Sequence, residues 1–263
     1  INHEHNNNGM LHHAGMSPWS AENVRKSQAA HGVSIVEVKL AQGRWQAVRP
    51  SPFARRITAN TPMRFAGPAA GHRLLQTSAD PQGMTPLGTF SNCGSGLTPW
   101  GTVLVCEENF IGYFHGPDQP DAHGKRWGLK KGGAGYSWHE HDTRFDATRH
   151  PHEPNRFGWI VEIDPQDPSS TPVKRTALGR AAHEAARIVM TRDGRAVVYS
   201  GEDARFEYIY KFVSRDRVQP GGAKANLNLL DHGTLYVARF DADGRGQWLP
   251  LVQGSRGLDA ARG

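Results

Sequence analysis

The sequence is short of cysteine: Cys93 and Cys106 are the only two among 263 residues. They could pair once, but two cysteines are not a disulfide framework. Long hydrophobic runs are missing as well. No apolar stretch approaches the roughly twenty residues that carry a helix across a bilayer, so a protein integral to the membrane is not expected. No signal peptide is visible, and the chain opens on Ile1-Asn2-His3-Glu4 without a methionine. Clustered positive charge is absent too. The net charge of +6 is scattered, with Arg55-Arg56, Lys130-Lys131, Arg192 and Arg195 far apart. That pattern excludes a nucleic-acid stripe and leaves a general attraction for anions. There is no G-x-S-x-G elbow, no phosphate-binding Walker loop and no H-E-x-x-H helix. His3-Glu4-His5 and His139-Glu140-His141 lack the helical spacing of that last motif.

What is present points to β structure. Thirty glycines, seventeen prolines and seven tryptophans, with a mean hydropathy of −0.60, favour many short strands joined by turns. Three segments look alike: 32–38 (G-V-S-I-V-E-V), 157–163 (F-G-W-I-V-E-I) and 233–240 (G-T-L-Y-V-A-R-F). Each joins glycine to a short β run, and the recurrence suits radially repeated β structure. Only 181–190 (A-A-H-E-A-A-R-I-V-M) has helical composition. Residues 112–156 read as a long, aromatic, turn-rich excursion, and loops that long are usually functional or mobile. Segment 164–172 is a proline-rich turn, and no domain boundary is evident.

The strongest chemical signal is Thr98-Pro99-Trp100-Gly101-Thr102-Val103-Leu104-Val105-Cys106-Glu107-Glu108-Asn109. An apolar strand runs into a thiol and two carboxylates. Adjacent carboxylates repel unless a positive charge sits between them, and a metal ion would supply it. Thiolate and carboxylate together form a mixed soft and hard donor set. Other strand ends are acidic as well. Ala196 to Tyr199 leads to Ser200-Gly201-Glu202-Asp203, where Glu202 is the better candidate, and Ile1 leads to His3-Glu4. In a β-propeller such ends converge from different blades, so distant residues could share one cluster. Glu184, in His183-Glu184 among alanines, would need a cation or hydrogen bonds if buried. Cys93, in Asn92-Cys93-Gly94-Ser95-Gly96, reads instead as a small residue in a tight loop.

Five pieces of the chain resemble the PhoX-type alkaline phosphatases. They are I-N-H-E-H-N-N-N at Ile1, T-P-W-G-T-V-L-V-C-E-E-N at Thr98, F-G-W-I-V-E-I-D-P-Q-D-P-S-S-T-P-V-K-R-T-A-L-G-R at Phe157, A-A-H-E at Ala181 and S-G-E-D-A-R-F-E-Y-I-Y-K-F at Ser200. The resemblance implies an all-β fold, a six-bladed β-propeller, and a cluster of iron and calcium at its mouth with a cysteine ligand. It implies hydrolysis of small phosphomonoesters, and a periplasmic or secreted protein exported by the twin-arginine route. By motif, Cys106 falls on the iron-ligating cysteine and Glu184 on the acidic residue of the His-Glu pair. Glu4, Glu107, Glu108 and Glu202 fall in or beside the acidic strand ends as metal ligands, and Asn109 as a substrate contact. The catalytic nucleophile would be an oxygen activated by the cluster, not a side chain.

Family members are longer, and their downstream Arg-Pro-Glu motif has no counterpart here. Residues 1–263 are therefore expected to form a single partial propeller of three to four blades, truncated at both ends and inactive alone. Two rivals stand beside the phosphatase reading. One is a binding module braced by calcium, which would have no use for a thiolate. The other is a phosphodiesterase or lactonase on the same scaffold.

Overall fold

The computed structural model describes residues 1–255 and 257–259. In chain order the strands are β1 (Asn2–His3), β2 (Gly32–Ile35), β3 (Val38–Ala41), β4 (Arg44–Ala47), β5 (Arg55–Ile57), β6 (Arg64–Ala66), β7 (Asn92–Leu97) and β8 (Val103–Glu107). They continue with β9 (Ile160–Ile163), β10 (Val173–Arg175), β11 (His183–Met190), β12 (Arg195–Glu202), β13 (Ile209–Arg217), β14 (Gly233–Phe240) and β15 (Gly246–Pro250). The longest helix is α1 (Ala21–Ala30). The fold is mostly β, with short helical pieces between strands.

The strands form a three-stranded sheet β1-β2-β5, a five-stranded sheet β6-β10-β9-β8-β7, a five-stranded meander β11 to β15 and a separate β3-β4 hairpin. Pairing is antiparallel except between β6 and β10. Among the described residues no sheet closes into a barrel. The middle sheet is covered on both faces. Alternation along β8 sends Leu104 and Cys106 to one face, where they pack with Ile160, Ile188, Val198 and Phe212. Val105 goes to the other face, with Val33, Ile57, Val161 and Ile163. A strand buried on both faces must be apolar at every position, which explains the unbroken Val103-Leu104-Val105-Cys106 run.

The sheets can meet closely because β7 carries glycines. A Cβ on Gly96 would lie 1.9 Å from the Ala186 carbonyl oxygen, and one on Gly94 2.5 Å from that of Glu184. Residues 92–96 are thus the strand facing β11 and not the tight loop expected from sequence. Residues 183–190 are strand, correcting the helical reading: small alanines there serve close sheet contact, not helix propensity. The 112–156 excursion folds around a core shared with flanking segments, in which its Tyr113, Phe114, Trp138 and Phe145 cluster with Phe90, Phe110 and Phe157. Helix α1 adds Val24 to that core. The Ser20 hydroxyl caps α1, accepting from the Asn23 amide at 3.3 Å.

Candidate metal centre

Five ligand-type side chains converge where three sheets meet. Ligand atoms of Glu4, Cys93 and Glu108 lie within 4.8 Å of one another, as do those of Glu108, Glu184 and Asp203. Glu4 follows β1, and the other four come from two hairpins built alike. In β7–β8 the ligands are the second residue of the first strand, Cys93, and the residue after the second strand, Glu108. In β11–β12 the equivalent positions are Glu184 and Asp203. Both hairpins are irregular at the first ligand: the register shifts between Asn92 and Ser95, and between His183 and Ala185. Bulges of this kind re-aim a side chain beside a site.

The surroundings fix these positions. The Asn2 side-chain amide donates to the Cys93 carbonyl at 2.7 Å, tying β1 to β7. Ser91 sits at φ 51°, a left-handed conformation that costs energy in a non-glycine residue. It lets the Ser91 carbonyl accept from the Glu108 amide at 3.0 Å and its hydroxyl from the Asn109 amide at 3.0 Å. The neighbouring His183 is a structural histidine. It is buried between the Ser200 hydroxyl, 2.7 Å away, and the Gly179 carbonyl, 3.0 Å away, and burial lowers its pKa to about 4.

Electrostatically the cluster is a concentration of negative groups. Glu108 is 3% exposed, and its Oε2 is buried without a hydrogen-bond partner among the described residues. Burial raises its pKa to about 8, helped by a hydrogen bond with Asp203 and by the charges of Glu184 and Glu4. The Cys93 thiol donates to Glu184 Oε1 at 3.1 Å. Burial, that hydrogen bond and the nearby carboxylates push the thiol pKa upward. A buried carboxylate with an orphaned oxygen, grouped with three more carboxylates and a thiol, fits a cation: it supplies the missing charge and the missing partner. The donor set, one sulfur and four carboxylates, suits a transition metal beside a harder ion.

The structure brings Glu4, Glu108 and Glu184 together and places the other expected residues elsewhere. Cys106, expected as the iron ligand, is one of these. Its side chain points from β8 into the apolar core with Leu104 and Ile160, and it lies outside both groups. Glu107 also departs from expectation. It is fully buried on the opposite face, 2.7 Å from Lys174 Nζ, and accepts from the Gly158 and Trp159 amides at 2.9 and 3.0 Å. Its charge is already balanced. Glu202 accepts from the Tyr210 hydroxyl at 3.0 Å, leaving the next residue, Asp203, to face the cluster. Asn109 is exposed beside Glu108. Sequence reasoning set aside Cys93 and Asp203, which the fold places in the cluster. Both cysteines are free. The available signal for Cys93 was its place one strand before Glu108, mirrored by Glu184 before Asp203.

Comparisons with known proteins identify the family. The family model for alkaline phosphatase PhoX matches residues 1–262. The solved structure of Pseudomonas fluorescens PhoX in complex with vanadate, a transition state analogue, is 53% identical with a TM-score of 0.95. It covers 100% of this chain and 47% of its own, so this chain spans about half its length. The search of curated proteins gave no match. A family model spanning nearly the whole chain, with a matching fold and an acidic centre built from three sheets, identifies the chain as a member of the alkaline phosphatase PhoX family.

Proposed function

We propose that these residues form part of the active centre of a metal-dependent phosphomonoester hydrolase. The observation that carries this reading is Glu108: a buried carboxylate with an unpartnered oxygen among Glu4, Glu184, Asp203 and Cys93. The vanadate complex of the similar protein supports a phosphate ester as the substrate. Cys93, in place of Cys106, is the proposed soft donor for iron, with the carboxylates also serving calcium. Bound ions would orient phosphate oxygens, neutralise developing charge and activate an oxygen nucleophile. The chain's own residues hold that centre rigidly: the bulges aim Cys93 and Glu184, Ser91 anchors Glu108, and Asn2 ties β1 to β7. The stacked sheets are proposed as blades of a propeller, supported by their face-to-face packing and by strand ends meeting at one point. Twin-arginine export to the periplasm or outside belongs to the same proposal and rests on the family resemblance. A calcium-only brace is disfavoured, because it gives Cys93 no role.

The test is metal analysis with a p-nitrophenyl phosphate assay on the full-length protein. Bound iron and calcium, with turnover blocked by vanadate and lost on chelation, is the expected result. Full turnover in a metal-free preparation would contradict the proposal.

A further inference from the structure

Glu4 has a weaker backbone anchor than the other cluster members, since it follows a strand of two residues, Asn2–His3. Its side chain is held from outside the cluster. His5 Nε2 lies 2.7 Å from Glu4 Oε1, and His5 Nδ1 lies 3.3 Å from the Tyr136 hydroxyl. A neutral imidazole can donate through one ring nitrogen and accept through the other, so both contacts can be satisfied at once. Tyr136 is itself fixed. Its ring stacks on Tyr113 with centroids 4.5 Å apart and planes 6° from parallel. Tyr113 is 1% exposed, and its hydroxyl donates to the Glu4 backbone carbonyl at 3.4 Å. The residue after Tyr136, Ser137, takes a left-handed φ of 53°, and its carbonyl accepts from the Trp19 indole at 3.1 Å. The two tyrosines therefore reach both the backbone and, through His5, the carboxylate of Glu4.

We propose that His5 and Tyr136 are positioning residues of the metal centre: Tyr136 orients His5, and His5 fixes one Glu4 oxygen so that the other faces the metal. This gives the 112–156 excursion a definite task, as a buttress behind the cluster. The inference rests on reading Glu4 as a ligand. Hydrogen bonds to ligating side chains set their orientation, and losing one typically weakens metal binding by about 10–100-fold.

The experiment uses the full-length, metal-loaded protein and follows metal release into a chelator by elemental analysis. Tyr136→Phe keeps the stack on Tyr113 and removes only the hydroxyl. His5→Ala removes the link, and His5→Gln restores a group able to donate and accept. Tyr136→Phe and His5→Ala are each expected to release metal about tenfold faster. The double variant should be no faster than His5→Ala alone, because both act along one chain of contacts. His5→Gln should lie nearer to wild type. The thermal midpoints of the metal-free proteins should differ little. Release rates equal to wild type, or a lowered metal-free midpoint without faster release, would overturn the proposal. A wild type that binds no metal would instead overturn the reading of Glu4 on which it rests.

Discussion

Glu107 and Glu108 are neighbours in sequence and opposites in environment. Glu107 is buried against Lys174 and two backbone amides, so its charge and its lone pairs are satisfied by protein. Glu108 is buried with an unpartnered oxygen and is surrounded by Glu4, Glu184 and Asp203. One carboxylate closes a structural ion pair, and the other keeps an unpartnered oxygen among further acids. Adjacent acids at a strand end are therefore not one feature. Alternation about β8 sends them to different neighbours, and only the neighbours say which is a ligand.

The sharpest way to break this contrast is Lys174→Met. It strands the Glu107 charge in the interior, which costs about 3–5 kcal/mol for a buried pair. Urea denaturation should show that loss. A change below about 1 kcal/mol would mean that the Glu107 site is better hydrated than its burial implies.

The cysteines offer the next contrast. Cys106→Ser places a hydroxyl in the apolar core and should destabilise by about 1–3 kcal/mol. Cys93→Ser in metal-free protein should leave the unfolding midpoint nearly unchanged, because that thiol touches the cluster and not the core. Equal losses in the two variants would erase the distinction between a core thiol and a site thiol.

A subtler difference appears with pH. In metal-free protein the Glu108 pKa is raised from 4.5 to about 8. Between those values the folded state holds a proton that the unfolded state has released. Stability should therefore fall as pH rises through that window. Glu108→Gln should remove this slope, as read from denaturation midpoints at several pH values, whereas a slope that persists would locate its source elsewhere. His183 gives a smaller effect of opposite sign. Its pKa is lowered from 6.5 to about 4, so the unfolded chain gains a proton first as pH falls. Stability should drop from pH 6.5 towards 4, and His183→Gln should flatten that drop in the same titration. A retained drop would show that other histidines, such as the buried His31, dominate it.

Much of the scaffold could be read from the sequence. The β runs read at 32–38, 103–105, 157–163, 196–199 and 233–240, by β-branched composition and bounding turns, each overlap a strand of the fold. Acidic strand ends drew attention to Glu4, Glu108 and Glu184, which the fold brings together. The thiol nearest the acids was not the one expected, because local composition cannot distinguish two uses of a cysteine. Cys106 extends an apolar run, which is a core signature, yet the acids beside it suggested a ligand. Cys93 sits among glycines that look like a loop, but those glycines exist so that β7 can press against β11. The β-bulges that aim Cys93 and Glu184 leave no local sequence mark. Helix α1 escaped notice because it buries Val24 alongside the polar Ser27 and Gln28, so it lacks an apolar stripe. The excursion's aromatic core was invisible for a related reason: its residues meet in space without any period.

The most direct measurement is X-ray absorption at the iron edge of full-length protein carrying Cys93→Ser or Cys106→Ser. Iron–sulfur scattering is expected to vanish in the Cys93 variant and persist in the Cys106 variant. Loss in the Cys106 variant with retention in the Cys93 variant would contradict the assignment of the site thiol.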